Sequence, residues 1–181
     1  MGLDMYLSKK TYVKNWAHTK PEGRHQVIVK KNGKEVDTID SSKISYIEEE
    51  IAYWRKANQI HNWFVENVQD GVDNCQDHWV NPEKLEELIN ACKEDIEYLN
   101  SLEKELSPEQ EDFLTKEKFR YTIFKDVDEN KLNLPTQSGF FFGSTEYDSY
   151  YLTDLENTIE MLEPYLDEKY AMDEFYYRSS W

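Results

Sequence analysis

Apolar and polar residues alternate at the start of the chain. Leu3, Met5 and Leu7 take turns with Asp4, Tyr6 and Ser8. A period of two predicts a half-buried strand over residues 2–8. Residues 12–24, with His18, Pro21 and Gly23, read as loop. A hairpin signal follows, in which the runs 26–31 and 34–39 flank Asn32-Gly33. Asn-Gly readily takes the positive φ angles of a two-residue turn.

Ser41 or Ser42 is placed to cap a first long helix over about residues 43–68. Projected at about 100° per residue, Ile47, Ile51, Trp54, Val65 and Val68 share an apolar arc that Tyr53, Ala57, Ile60 and Phe64 widen. Glu50, Asn58 and His61 fall inside that arc, Arg55 and Asn62 fall on its margin, and Trp63 points elsewhere. Such a helix would be central and would carry buried polar groups. Residues 69–81 read as a polar loop. Asn81-Pro82 opens a second helix, with a stripe running from Leu85 through Leu88, Ile89, Cys92, Ile96 and Leu99 to Leu106. Ser107-Pro108-Glu109-Gln110 has capping-box spacing and restarts a helical signal. Within 111–134, Phe113, Leu114, Phe119, Tyr121, Ile123 and Phe124 suggest a short helix running into a strand, which Pro135 ends. The run 139–143 is a strand or a tight buried loop between glycines, Asp148 or Ser149 begins a last helix over about 149–167, and 175–181 is a final strand. The expected fold is α+β, a small, mostly antiparallel sheet packed with three main helices in a single domain over 1–181.

Composition narrows the function classes. Among 181 residues, 21 are Lys or Arg and 37 are Asp or Glu, for a formal net charge of −16. A nucleic-acid binder shows a basic face, so direct contact with phosphate backbone is not expected. No apolar run is long enough to span a bilayer, and the first residues have no basic stretch before an apolar core, so they do not read as a secretory signal. The expected compartment is therefore the cytoplasm, with Cys75 and Cys92 reduced. The four histidines lack zinc-ligand spacing. No Walker A pattern and no Ser, Cys or His catalytic set is present, so no metal, cofactor or catalytic residue is expected.

Two constellations carry candidate chemistry. Glu50, Trp54, Arg55, Asn58 and His61 would adjoin on successive turns of the long helix. They would bond to neighbouring backbone, or line a pocket in which Trp54 stacks on a planar ligand while Arg55 or His61 meets an anion, or use Glu50 and His61 for metal or acid–base chemistry, a use without a third ligand or a nucleophile to support it. The stretch Pro135 to Asp148 precedes a helix N-terminus and can present Gln137, Ser138, Ser144 and Thr145 as hydrogen-bonding groups. The expected site combines both sets around a small polar or nucleotide-like molecule. The acidic charge supports an alternative, in which carboxylates mimic phosphates and occupy a basic groove on another protein. Trp63 and the half-apolar second helix would either make a homodimer contact or be covered within the monomer.

The chain resembles a group of small bacteriophage and prophage proteins of unknown function. Residues 1–7, 53–64, 68–71, 135–148 and 179–181 carry the resemblance. It implies expression inside a bacterial cell and a role against host defence, either by binding a host or defence protein or by sequestering a small signal.

Overall fold

The alternation at the N-terminus becomes β1 (Asp4–Tyr12), with Met5 and Leu7 buried and Tyr6 and Ser8 on the opposite face. The computed structural model describes residues 2–112 and 114–181. The strand β1 runs antiparallel to β4 (Tyr46–Arg55) on one side and to β10 (Glu174–Ser180) on the other, and β5 (His78–Val80) completes the order β4-β1-β10-β5. Register places Tyr6 opposite both Tyr53 and Arg178. The helices α1 (Asn58–Val68), α2 (Pro82–Asn100) and α3 (Ser149–Leu162) complete an α+β architecture.

The long helix expected over 43–68 is corrected. Its first half is the strand β4, and α1 begins at Asn58. The run from Tyr46 to Arg55 satisfies both periodicities, because Ala52 and Trp54 also alternate with Tyr53 and Arg55. Ladder pairing with β1 supplies the backbone bonds, and a bulge opposite Leu7 and Ser8 absorbs the extra residue Ile51. Chain direction changes at Lys56, which has φ 62°. Ala57 then forms an inverse γ-turn, with the Asn58 N–H donating to the Lys56 carbonyl at 2.9 Å.

At the expected hairpin, Asn32 and Gly33 take φ 52° and 79°, but β2 (Lys30–Lys31) and β3 (Lys34–Glu35) are only two residues each. Both strands are exposed, so no apolar face extends the ladder. Helix α2 starts as read, with the Asn81 carboxamide accepting from Glu83 N–H, and ends at Asn100, short of Leu106. The helical restart at Ser107 is a second correction. There β6 (Lys104–Leu106) pairs with β9 (Thr122–Phe124), and β7 (Gln110–Glu111) pairs with β8 (Lys118–Phe119). The Ser107 hydroxyl accepts from Tyr121 N–H across this ribbon instead of capping a helix. Phe113 lies outside the described residues.

One hydrophobic cluster joins the sheet's inner face to the helices, through Leu3, Met5, Leu7, Trp54, Phe64, Leu88, Leu155, Phe175 and Tyr177. Phe64 stacks flat on Tyr177, with ring centroids 3.9 Å apart. Trp63 belongs to this core at 8% exposure, so it is not the surface ring that the helical projection implied. Asp95, wholly buried on α2, accepts from the N–H groups of Asn133 and Leu134 and thereby docks the segment leading to residue 135. No helix among the described residues is long and apolar enough to cross a membrane.

Candidate functional site

Asn58 opens α1 and is 1% exposed. Its Nδ2 donates to the carbonyls of Phe142 at 3.3 Å and Ser144 at 2.8 Å, and its Oδ1 accepts from Gln137 N–H at 2.8 Å. The carboxamide therefore straps the 137–144 loop to the helix, and its bonding capacity is used on main chain. His61 lies one turn further along α1, between Tyr177 and Asp73: Nδ1 is 2.8 Å from the tyrosine oxygen and Nε2 is 3.0 Å from the carboxylate. Trp181 Nε1–H donates to the same Asp73, and Phe142 meets the imidazole edge-on. Trp54 is 3% exposed, and its indole N–H donates to Thr158 Oγ1 at 2.8 Å. These three side chains thus hold the 69–78 loop, the 137–144 loop, α3 and the C-terminal strand together. Trp54 presents no open face for stacking. Glu50 does not share a helix with His61 and sits on the outer face of the sheet opposite Ser8.

Gln137, Ser138, Ser144 and Thr145 are exposed on the loop. The Ser144 hydroxyl accepts from Glu146 N–H, and the Thr145 carbonyl accepts from the Thr136 hydroxyl. The loop packs tightly on the turn before α1: Gly143 has φ 101°, and a Cβ there would lie 2.9 Å from the Lys56 carbonyl oxygen. Only glycine meets both conditions without strain.

Beside this contact is an open cavity of about 350 Å³. Arg55, Lys56 and Gln59 supply part of its wall from the β4–α1 junction. Thr136, Gly143, Ser144 and Glu146 supply another part, and Asp148, Tyr150, Tyr151, Thr153 and Asp154 supply the α3 side. Of the residues singled out from the sequence, Arg55 and Ser144 line it. Lys56, Gln59, Tyr150 and Asp154 were missed. Asp154 lies on the polar-looking side of a helix read for its apolar stripe, and it becomes half-buried when α3 docks against β4.

The electrostatics of the cavity are uneven. Burial pushes the Asp154 carboxyl up to about 6, the nearby Asp148 charge adds to the shift, and the Gln59 amide donating at 3.0 Å opposes it. Burial also raises Asp148, as does the Glu146 charge, against the Tyr151 and Tyr150 N–H groups that Asp148 caps. Among the described residues, neither Arg55 nor Lys56 makes an ion pair. The cavity therefore sets two cations without an ion pair among the described residues beside three carboxyl groups, Glu146, Asp148 and Asp154, of which burial raises the last two. An anion bearing hydrogen-bond donors at its other end matches that pattern.

Among the described residues, no group of three or more His, Cys, Asp or Glu side chains is placed to hold a metal ion. Cys92 is buried, and burial raises its thiol pKa, while Cys75 is exposed. Compared with known proteins, the chain matches no family model, no curated protein and no solved structure.

Proposed function

We propose that this chain is a non-enzymatic protein that binds a small, nucleotide-like molecule in the cavity between the β4–α1 junction and α3. The observation that carries the reading is the pair of cations Arg55 and Lys56, without an ion pair among the described residues, in the lining of a cavity of about 350 Å³. Two adjacent cations at a concavity, neither engaged in an ion pair among the described residues, are suited to an incoming anion. Gln59 and Asp154 provide neighbouring amide and carboxyl groups that read the hydrogen-bonding edge of a base, and the exposed ring of Tyr150 offers a stacking surface. This assignment moves the stacking role from Trp54 to Tyr150 and leaves Asn58 and His61 as the frame. The cavity draws on residues 55–59 and 136–148, within the stretches that carry the resemblance to phage proteins. In an infected bacterium such binding would withdraw a small signal from host defence.

A thermal-denaturation screen against nucleotides tests the reading. A true ligand at 100 times its dissociation constant adds about 2.7 kcal/mol of stability. The shift is expected with at least one nucleotide and is expected to vanish in Arg55→Ala. No shift with any nucleotide overturns the proposal.

A second reading rests on a different surface. The outer face of the sheet carries Tyr6, Tyr53, Tyr176 and Trp79 among Asp4, Glu48, Glu50 and Glu174, with Lys10, Arg55 and Arg178 on the same face, Arg178 over Tyr6 and Lys10 over Tyr176. A concavity of about 540 Å³ there is lined by Tyr6, Ser8, Glu48, Glu50, Asp77 and Arg178. The exposed rings of Tyr53 and Trp79, with the carboxylates of Glu48 and Glu50, suit the arginines of a basic host or defence protein. Binding that weakens with added salt and is lost in Glu48→Lys with Glu50→Lys supports this reading, and binding indifferent to both removes it.

A further inference from the structure

A second cavity, of about 290 Å³, lies against the first. It is lined by Tyr53, Trp54 and Arg55 of β4 and by Asp154, Asn157, Glu160 and Met161 of α3. Arg55 and Asp154 line both cavities. On α3 the lining residues recur at spacings of three and four, from Tyr150 and Asp154 to Asn157 and Met161, so they follow one helix face toward β4. At a rise of 1.5 Å per residue, that face runs for about 16 Å. The two cavities are thus successive parts of one groove between α3 and the edge strand β4, with Arg55 and Asp154 shared between them.

Each cavity alone lies near the small end of the range of about 300–1,000 Å³ for ligand sites. A single nucleotide in the first would leave the second empty. Arg55, the cation that lines both cavities, makes no ion pair among the described residues. We propose that the groove takes a molecule of two nucleoside units joined through a phosphate, one unit in each cavity, with Arg55 pairing with the bridging phosphate. This inference rests on the ligand-binding reading above and names the class of molecule. A guanidinium suits a bridging phosphodiester because its planar fork contacts two phosphate oxygens together. Asp154, which also lines both cavities, serves either unit, with one carboxylate oxygen already engaged by Gln59. Asn157 gives the second cavity its own amide.

Calorimetric titration of the full chain tests the inference with the four homodinucleoside monophosphates and their matching 5′-mononucleotides. Because the second unit binds intramolecularly, one dinucleoside monophosphate is expected to bind about 100-fold more tightly than its mononucleotide. Asn157 is exposed, so Asn157→Trp fills the second cavity without disturbing the core. It is expected to erase the advantage and leave mononucleotide binding intact. Equal affinity for one and two units, or an advantage that survives Asn157→Trp, overturns the two-unit groove while the single-ligand reading stands. Failure of every mononucleotide and dinucleotide to bind overturns both.

Discussion

The side-chain amide of Asn58 lies 2.8 Å from the carbonyl oxygen of Ser144, 86 residues away along the chain. With its bonds to Phe142 and Gln137, this contact holds the 137–144 loop against the start of α1 and sets one rim of the cavity. Truncation leaves a buried N–H and two carbonyls without partners. Asn58→Ala is therefore expected to cost about 2–4 kcal/mol in urea unfolding. Asn58→Asp keeps an acceptor for Gln137 N–H but turns a carboxylate on two carbonyls, so it is expected to be no better than alanine. A loss below about 0.5 kcal/mol for Asn58→Ala would show that the strap does not hold the loop.

His61 is fixed between Tyr177 and Asp73. Tyr177→Phe preserves the ring stacked on Phe64 and removes the hydroxyl that meets His61 Nδ1. The expected loss is about 1–2 kcal/mol, with no change in core packing. Chemical denaturation of the two proteins measures it, and equal stability contradicts a tight Asp73–His61–Tyr177 linkage.

Asp95 ties α2 to residues 133 and 134 and also meets the Tyr151 hydroxyl. Burial raises its pKa, and the four donors around it oppose that shift. Asp95→Ala strands the Asn133 and Leu134 N–H groups, while Tyr151 keeps the Leu134 carbonyl, and is expected to cost about 3 kcal/mol or more. Asp95→Asn keeps one acceptor and should fall between alanine and the natural residue. If Asp95→Ala and Asp95→Asn prove equally stable, the clamp reading fails.

Asp154 makes a pH prediction whose sign follows from its raised pKa. An acid that titrates near 6 when folded and near 3.8 when unfolded binds more protons in the native state between those values. Its contribution to stability is then greatest below about pH 4, falls as pH rises, and is lost above about pH 6. Asp154→Asn removes this dependence. It is expected to make the protein more stable than the natural chain at neutral pH, by at most about 3 kcal/mol, and to weaken ligand binding. Thermal melts of both proteins at acid and neutral pH check the first half. A variant that is less stable at neutral pH contradicts the burial of Asp154.

The sequence made several elements legible through strictly local chemistry. The alternation of residues 3–8, the Asn-Gly turn, the Asn81-Pro82 start of α2 and the Asp148 cap of α3 each rest on neighbours a few residues apart. The β4–α1 region was not legible because Tyr46 to Arg55 fits both periods, and its state is decided by β1, some forty residues earlier in the chain. The site inherited that error. Asn58 and His61 do sit at buried polar positions, but their partners, Gln137, Ser144, Asp73 and Tyr177, come from distant segments that no periodicity connects. Arg55 and Ser144 reach the cavity wall, while Asp154 gains its environment only from the docking of α3 on β4.

The central claim is that the ligand site lies where Arg55, Gln59 and Asp154 converge. Amide chemical-shift mapping tests it directly, during titration with the nucleotide or dinucleotide that most raises thermal stability. Perturbations confined to residues 53–59 and 143–161 are predicted, saturating together. Perturbations gathered on the outer sheet face around Tyr6, Trp79 and Arg178, or none at saturating nucleotide, would contradict the claim.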